Sequence, residues 1–255
     1  MHVRTAITRR ALLTGLGIGA TLCWPIGVYA DVLTETARTT EGPFYPDHLP
    51  LDTDNDLLLV NDALTPSTGR ITYFSGRVLG TTGAPVRNAT VEIWQCDAKG
   101  SYLHSKGRVA ERDPNFQGYG RVLTGANGEY GFRTIRPVSY AQYGITRAPH
   151  IHLAVSRNGR RVLTTQVHVA GDPLNADDGV LTRLDAAARA TVIADFLPIA
   201  GSPLGEVAAR WDVVLGHTAL EGDDGVMQGA IGKPEGAPAF WDYVKAWEAK
   251  RGKTP

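Results

Sequence analysis

Two histidines one residue apart, His150 and His152, lie in the stretch Arg147-Ala148-Pro149-His150-Ile151-His152-Leu153-Ala154-Val155. If Ile151 to Val155 run as a strand, the two-residue alternation turns both imidazoles to one face and Ile151, Leu153 and Val155 to the other. Their Cα atoms then stand about 7 Å apart, close enough for the two rings to lean toward one metal ion. Two polar-face histidines on an edge strand would show the same spacing, so the pattern gains weight only from partners elsewhere. Tyr102, just past a turn, and Tyr140, in Arg136-Pro137-Val138-Ser139-Tyr140, are such partners. Two phenols and two imidazoles form a hard, anionic donor set once the phenols ionise, and ferric iron suits it better than zinc or copper. Tyrosines are also common at sheet rims, where the ring packs and the hydroxyl stays wet. On the residues alone Tyr143 competes with Tyr140, and Tyr130 reads as core.

The elements that must position these side chains are short strands. Ile71 to Leu79 alternates and ends at the turn Thr81-Thr82-Gly83-Ala84-Pro85. Ala89 to Cys96 sends Val91 and Ile93 one way and Glu92 and Trp94 the other, before the turn Asp97-Ala98-Lys99-Gly100. Ala126-Asn127-Gly128 carries a hairpin signal ahead of Tyr130 to Ile135. Arg157-Asn158-Gly159-Arg160 is a second hairpin signal, between His150 to Ser156 and Val162 to Val169. Arg210 to Gly216 supplies a last strand, and helix is expected only over Ala186 to Phe196 and Phe240 to Ala249. Strands at this spacing with little helix predict an all-β, two-sheet sandwich. Upstream, Thr40-Glu41-Gly42-Pro43-Phe44-Tyr45-Pro46 and the acidic turn Asp52-Thr53-Asp54-Asn55-Asp56 read as an extended arm packed by its aromatics.

The first thirty residues differ in kind. Thr8-Arg9-Arg10 opens an apolar, glycine-rich run from Leu12 to Val28, and Val28-Tyr29-Ala30 offers small residues to a signal peptidase. The paired arginines and mild apolar core resemble a twin-arginine export signal cut after Ala30, which places the mature protein in the periplasm or outside the cell. Four glycines make the run too weak for a stable membrane span. Once Arg4, Arg9 and Arg10 leave, 23 basic residues face 26 acidic ones, a balance that points to neither nucleic acid nor an anionic membrane. Of the two cysteines only Cys96 remains, so no internal disulfide supports the mature chain.

Taken together, Thr40-Glu41-Gly42-Pro43-Phe44-Tyr45, Val91 to Tyr102, Phe132-Arg133-Thr134-Ile135-Arg136-Pro137, Arg147 to His152, Gln166 and Arg210-Trp211-Asp212-Val213-Val214-Leu215 resemble the intradiol ring-cleavage dioxygenases. The likeness runs over roughly residues 40–217 in the same order and is greatest to the protocatechuate 3,4-dioxygenase branch. It implies a transthyretin-like (prealbumin-like) sandwich with an N-terminal arm and minor helices. The divisions are a signal at 1–30, an arm at 31–70, a catalytic sandwich at 71–217 and a tail at 218–255. It also implies a non-haem Fe(III) centre with Tyr102 and His152 equatorial and Tyr140 and His150 axial. Arg147 would be the cation over the substrate ring, Tyr140 a base, and Gln166 a polar residue behind the ligands. The implied reaction opens a catechol-type ring between its hydroxyl-bearing carbons with O2, giving a cis,cis-muconate-type diacid.

This chain departs from the family in a short loop between Tyr140 and Arg147 and in Ala148-Pro149 standing where Pro-Ala is usual. His168 is expected to be a satisfied surface histidine rather than a fifth ligand, and His104 a peripheral or solvent residue. Arg108, Arg112, Arg121 and Arg133 are candidates for facing the substrate. Two other readings compete: an exported transthyretin-like module binding an aromatic ligand without turnover, and a copper or zinc site on the two histidines. The tail, with Trp241 and Trp247, offers surface for covering the site mouth or for a contact in a homo-oligomer.

Overall fold

The computed structural model describes residues 32–61, 64–107, 111–142 and 144–216. The spine of the first sheet is β1, Ile71–Gly80, in which Thr72, Phe74 and Val78 point inward while Tyr73, Ser75 and Arg77 face solvent. β4, Glu129–Ile135, pairs antiparallel along one side of β1. Along the other side run β11, Val207–Arg210, and β12, Val213–Leu215, both parallel to β1. The expected single strand from Arg210 to Gly216 is therefore broken at Trp211-Asp212. There the Asp212 carboxylate accepts the Arg77 amide at 2.9 Å, and the Trp211 amide donates to the Ser75 carbonyl at 2.8 Å. Gly76 permits this crossing, because a Cβ would fall 1.8 Å from the Trp211 carbonyl oxygen. β10, Leu197–Pro198, extends this sheet beyond β11.

The second sheet runs β3, Tyr119–Leu123; β2, Thr90–Trp94; β7, His150–Arg157; β8, Arg160–Val169; and β9, Ile193–Ala194. β7 is thus a central strand, and no position in it before Arg157 is exposed. Ile151, Leu153 and Val155 join Val91, Ile93, Leu163 and Val167 in a core shared with Phe74, Val78, Phe132, Ile135 and Val213 of the first sheet. The opposite face of β7 carries the histidines. A second apolar cluster of Phe44, Trp94, Cys96, Tyr102, Tyr119, Tyr140 and Ala154 covers that face.

The turn Arg157-Asn158-Gly159-Arg160 joins β7 to β8, with Asn158 and Gly159 both at positive φ (49° and 76°), as a tight two-residue hairpin requires. Ala126-Asn127-Gly128 behaves differently: it carries the chain from β3 in one sheet to β4 in the other. β5, Tyr140–Gln142, and β6, Ile145–Arg147, form a separate small hairpin in what reads from the sequence as a loop. The helix expected over Ala186 to Phe196 is cut to Ala186–Ala190. The Thr191 hydroxyl donates to the Ala188 carbonyl at 2.7 Å, the chain turns through Val192, and from β-branched Ile193 it runs extended beside β8. Among the described residues no helix is long and apolar enough to cross a membrane. The expected helix at Phe240 to Ala249, the tail and the N-terminal signal lie outside the described residues.

Residues 32–61 wrap the sandwich in extended form. The Thr36 amide donates to Val214 on the first sheet and the Thr39 amide to Thr164 on the second. Phe44 and Tyr45 then cross the histidine face, and the Leu57 amide reaches the Arg133 carbonyl on β4.

Candidate metal centre

Alternation along β7 places His150 and His152 together on the covered face, each 1% exposed. Trp94 of β2, directly opposite His152 in register, stacks on its imidazole at 4.8 Å and 9°. Tyr102 follows β2 after a loop held by Asp97, whose Oδ1 accepts the Lys99 and Ser101 amides, each at 2.9 Å. Its Oδ2 accepts the Asp113 amide at 2.6 Å. The loop returns Tyr102 so that its Oη lies 3.3 Å from His150 Nε2. Tyr140 begins β5, with its ring 5.2 Å from that of Tyr102 and 5.8 Å from that of His150. Tyr143 lies outside the described residues.

The donor atoms converge. His150 Nε2 lies 3.2 Å from His152 Nε2 and 3.3 Å from Tyr102 Oη. His150 Nδ1 lies 2.7 Å from the Ala148 carbonyl, which can only accept, so Nδ1 carries the proton and Nε2 turns a lone pair inward. His152 Nδ1 is buried and has no hydrogen-bond partner among the described residues. Burial holds both imidazoles neutral by pushing their pKa well below the usual 6.5, and positive Arg147 adds to the effect. Burial likewise drives the Tyr102 phenol well above 10; it also raises Tyr140, against the pull of the Arg147 charge. Neutral imidazole lone pairs beside phenols that ionise only against a strong positive charge fit a small, highly charged, oxygen-seeking cation. Among the described residues no set of three His, Cys, Asp or Glu side chains is arranged to hold a metal.

Arg147 ends β6 directly opposite Tyr140. Its Nε donates to Asp178 Oδ2 at 2.9 Å, and its Nη2 donates to Gln166 Oε1 at 2.6 Å and to Asp178 Oδ1 at 3.3 Å. Gln166, opposite His152 in register and fully buried, donates in turn to the Thr40 carbonyl at 2.9 Å. Asp178 escapes a reading of the sequence, because an acid in the turn Asp177-Asp178-Gly179 looks like any solvated loop residue. His168 differs from expectation: it is fully buried rather than on the surface, pairs with His150 in register, and its Nε2 lies 3.7 Å from Asp178 Oδ1. Its ring lies 5.2 Å from that of His150, on the covered face of the sheet, beside the buried Asp178 carboxylate. His104 is half-buried, its Nδ1 accepting the Lys106 amide at 2.9 Å and its ring meeting Phe44 edge-on. Tyr130 is core, its hydroxyl donating to the Trp211 carbonyl at 2.6 Å. Of the candidate arginines, Arg133 is paired with Asp56 at 2.8 Å, Arg121 is exposed on β3, Arg112 is half-buried and Arg108 lies outside the described residues.

Comparison with known proteins gives the family. A family profile described as Dioxygenase matches residues 40–217. The protocatechuate 3,4-dioxygenase beta chain of Burkholderia cepacia is 40% identical over 172 residues, 64% of this chain and 72% of that one. Catechol 1,2-dioxygenase 1 of Acinetobacter lwoffii is 37% identical over 157 residues, 56% of this chain and 49% of the relative. This chain thus spans about half the length of that relative. The solved structure of catechol 1,2-dioxygenase from Acinetobacter sp. ADP1, inhibited by bound mercury, aligns with a TM-score of 0.60 at 27% identity. That alignment covers 78% of this chain and 67% of the other. A mostly β fold of two sheets with few helices matches the fold of that structure. The chain belongs to this dioxygenase family, the intradiol ring-cleavage enzymes.

Proposed function

We propose that the protein opens a catechol-type ring between the two hydroxyl-bearing carbons, with both atoms of O2 entering the product as a cis,cis-muconate-type diacid. The observation that carries this reading is the convergence of Tyr102 Oη, His150 Nε2 and His152 Nε2 within 3.3 Å of one another or less, link by link, in a buried site. Tyr102, Tyr140, His150 and His152 would hold a non-haem ferric ion. When bound, that ion supplies the Lewis acidity and electron-accepting power that open an aromatic diol to O2.

The remaining work falls to the protein. Tyr140, ionised in the loaded site, takes a substrate hydroxyl proton at its Oη. Arg147, opposite Tyr140, holds negative charge on the substrate oxygens and on the opening ring. Gln166 orients Arg147 through the 2.6 Å contact, and Phe44, stacked on Tyr102 at 5.0 Å, excludes water.

The 40% identity to a protocatechuate 3,4-dioxygenase beta chain supports assignment to that branch, and the pair of facing sheets supports a transthyretin-like sandwich. Arg9-Arg10, the apolar run and Ala30 support twin-arginine export to the periplasm or beyond. Replacing both arginines by Lys is expected to retain the protein in the cytoplasm, and exported protein is expected to begin at Asp31.

The visible spectrum of the iron-loaded protein tests the catalytic reading. Tyrosinate bound to ferric iron is expected to give a red-brown band that shifts with anaerobic catechol and fades on admission of O2. A protein that stays colourless after iron loading would leave a binding module or another metal instead.

A further inference from the structure

Asp178 stands in the turn between two 3-10 helices, Pro173–Ala176 and Leu181–Arg183, well away in sequence from every proposed ligand. Its side chain is fully buried. Oδ2 accepts Arg147 Nε at 2.9 Å and the Ala148 amide at 3.0 Å. Oδ1 accepts Arg147 Nη2 at 3.3 Å, the Val180 amide at 2.9 Å and the Leu181 amide at 3.3 Å. His168 Nε2 is 3.7 Å from the same oxygen.

A guanidinium has five N–H donors in a fixed plane. Nε spends its one on Asp178, and Nη2 spends its two on Asp178 and Gln166. That uses one whole edge and fixes the plane from two sides. The Nη1 donors are the ones left to turn to the site, and the Arg147 charge bears on both Tyr140 and Tyr102. Gln166 cannot fix the plane alone, since it meets a single nitrogen.

We infer that Asp178 is the positioning residue for Arg147, anchoring one edge of the guanidinium so that the opposite edge is presented to the substrate. This rests on the reading of Arg147 as the substrate-facing cation. A carboxylate that only capped the second 3-10 turn through the Val180 and Leu181 amides would leave Arg147 chemistry untouched, and that difference is measurable.

The test uses the full-length, iron-loaded enzyme and catechol as substrate. Asp178→Asn touches no proposed ligand, so its iron content and resting visible band are expected to match wild type. Its kcat/KM is expected to fall about 10- to 100-fold, the range lost when a group held within an ångström is set loose. Arg147→Met should lose at least as much. The double variant should sit within about twofold of Arg147→Met alone, because two residues acting as one unit do not lose twice. Arg147→Lys keeps the charge without the fork and leaves the Val180 and Leu181 amides their acceptor, so it reads the same property if Asp178→Asn does not fold. It too is expected to fall at least tenfold.

An Asp178→Asn or Arg147→Lys enzyme within about twofold of wild type, or losses that multiply in the double variant, would overturn the inference. If wild type itself shows neither colour nor turnover, the catalytic reading has failed, and crystals of wild type and Asp178→Asn decide the positioning claim. An Arg147 guanidinium that turns away in the variant upholds it; one that keeps its place refutes it.

Discussion

Gly42 and His152 meet where the arm crosses the site. Gly42 has φ of 71°, and a Cβ there would lie 3.2 Å from His152 Cε1. Gly42→Ala therefore adds both backbone strain and a push on the imidazole, and is expected to cost about 1–2 kcal/mol. Urea denaturation checks the cost, and iron content checks whether His152 moves; a variant as stable and as readily loaded as wild type would show that the arm does not press on the ring. Protons offer a second probe. Burial keeps the folded pKa of His150 and His152 well below 6.5, so below that pH the unfolded chain binds protons that the folded one refuses. The stability of metal-free protein is thus full above pH 6.5 and is lost as pH falls toward 5, by up to nearly 3 kcal/mol per unit for two groups. Asp178 adds to the loss only below its unfolded value near 3.8. Burial alone would raise its pKa, but the neighbouring His168 ring, 3.7 Å away, and hydrogen bonds from Arg147 hold it low. Denaturation midpoints that stay flat between pH 7 and 5 would mean that the two histidines are protonated in the folded state.

The arm is held as an element by one buried cluster. Glu92 Oε1 accepts the hydroxyls of Tyr45 at 2.8 Å and Tyr119 at 2.6 Å, and its Oε2 accepts Arg161 Nη2 at 3.1 Å. Arg161 Nη1 pairs with Glu41, and the guanidinium lies 4.8 Å from the centre of the Tyr45 ring. Burial and the Glu92 charge push the Tyr45 phenol up to about 12, so it remains a donor. Glu41 and Tyr45 flank Gly42 and Phe44, the arm residues that touch His152 and Tyr102. Arg161→Met would strand Glu92 beneath the arm with its charge unmatched, at about 3–5 kcal/mol, and release residues 41–45. Faster amide exchange over the arm and weaker iron retention are the expected readouts. Unchanged exchange there would show that the apolar contacts of Phe44 hold the arm without the ion pairs.

At the scale of the molecule, one strand serves two surfaces. Ile151, Leu153 and Val155 fill the space between the sheets while His150 and His152, in alternation with them, carry the site. A change on one face should therefore leave the chemistry of the other intact. Leu153→Ala is expected to cost about 2–5 kcal/mol in urea denaturation, while folded, iron-loaded variant keeps its visible band. A shifted band would mean that core packing sets the position of the imidazoles.

Much of this was legible from the residues. Alternation separates the histidines from Ile151 and Leu153, Asn158-Gly159 marks a hairpin with both residues at positive φ, and Glu92 and Trp94 share a face with the site. These are local properties, set by the two-residue repeat of a strand and by the few residues that accept positive φ. The rest depends on register and loop path between residues distant in the chain. Tyr102 meets His150 across 48 positions because Asp97 folds its loop back, and Arg147 meets Asp178 across 31. His168 is buried against His150 and Asp178, and β9 runs beside β8 where Val192 and Ile193 abandon the helix that their alanine-rich neighbours begin. Propensity favours a helix there by only a fraction of a kcal/mol per residue, and burying Val192 against the sheet is worth more.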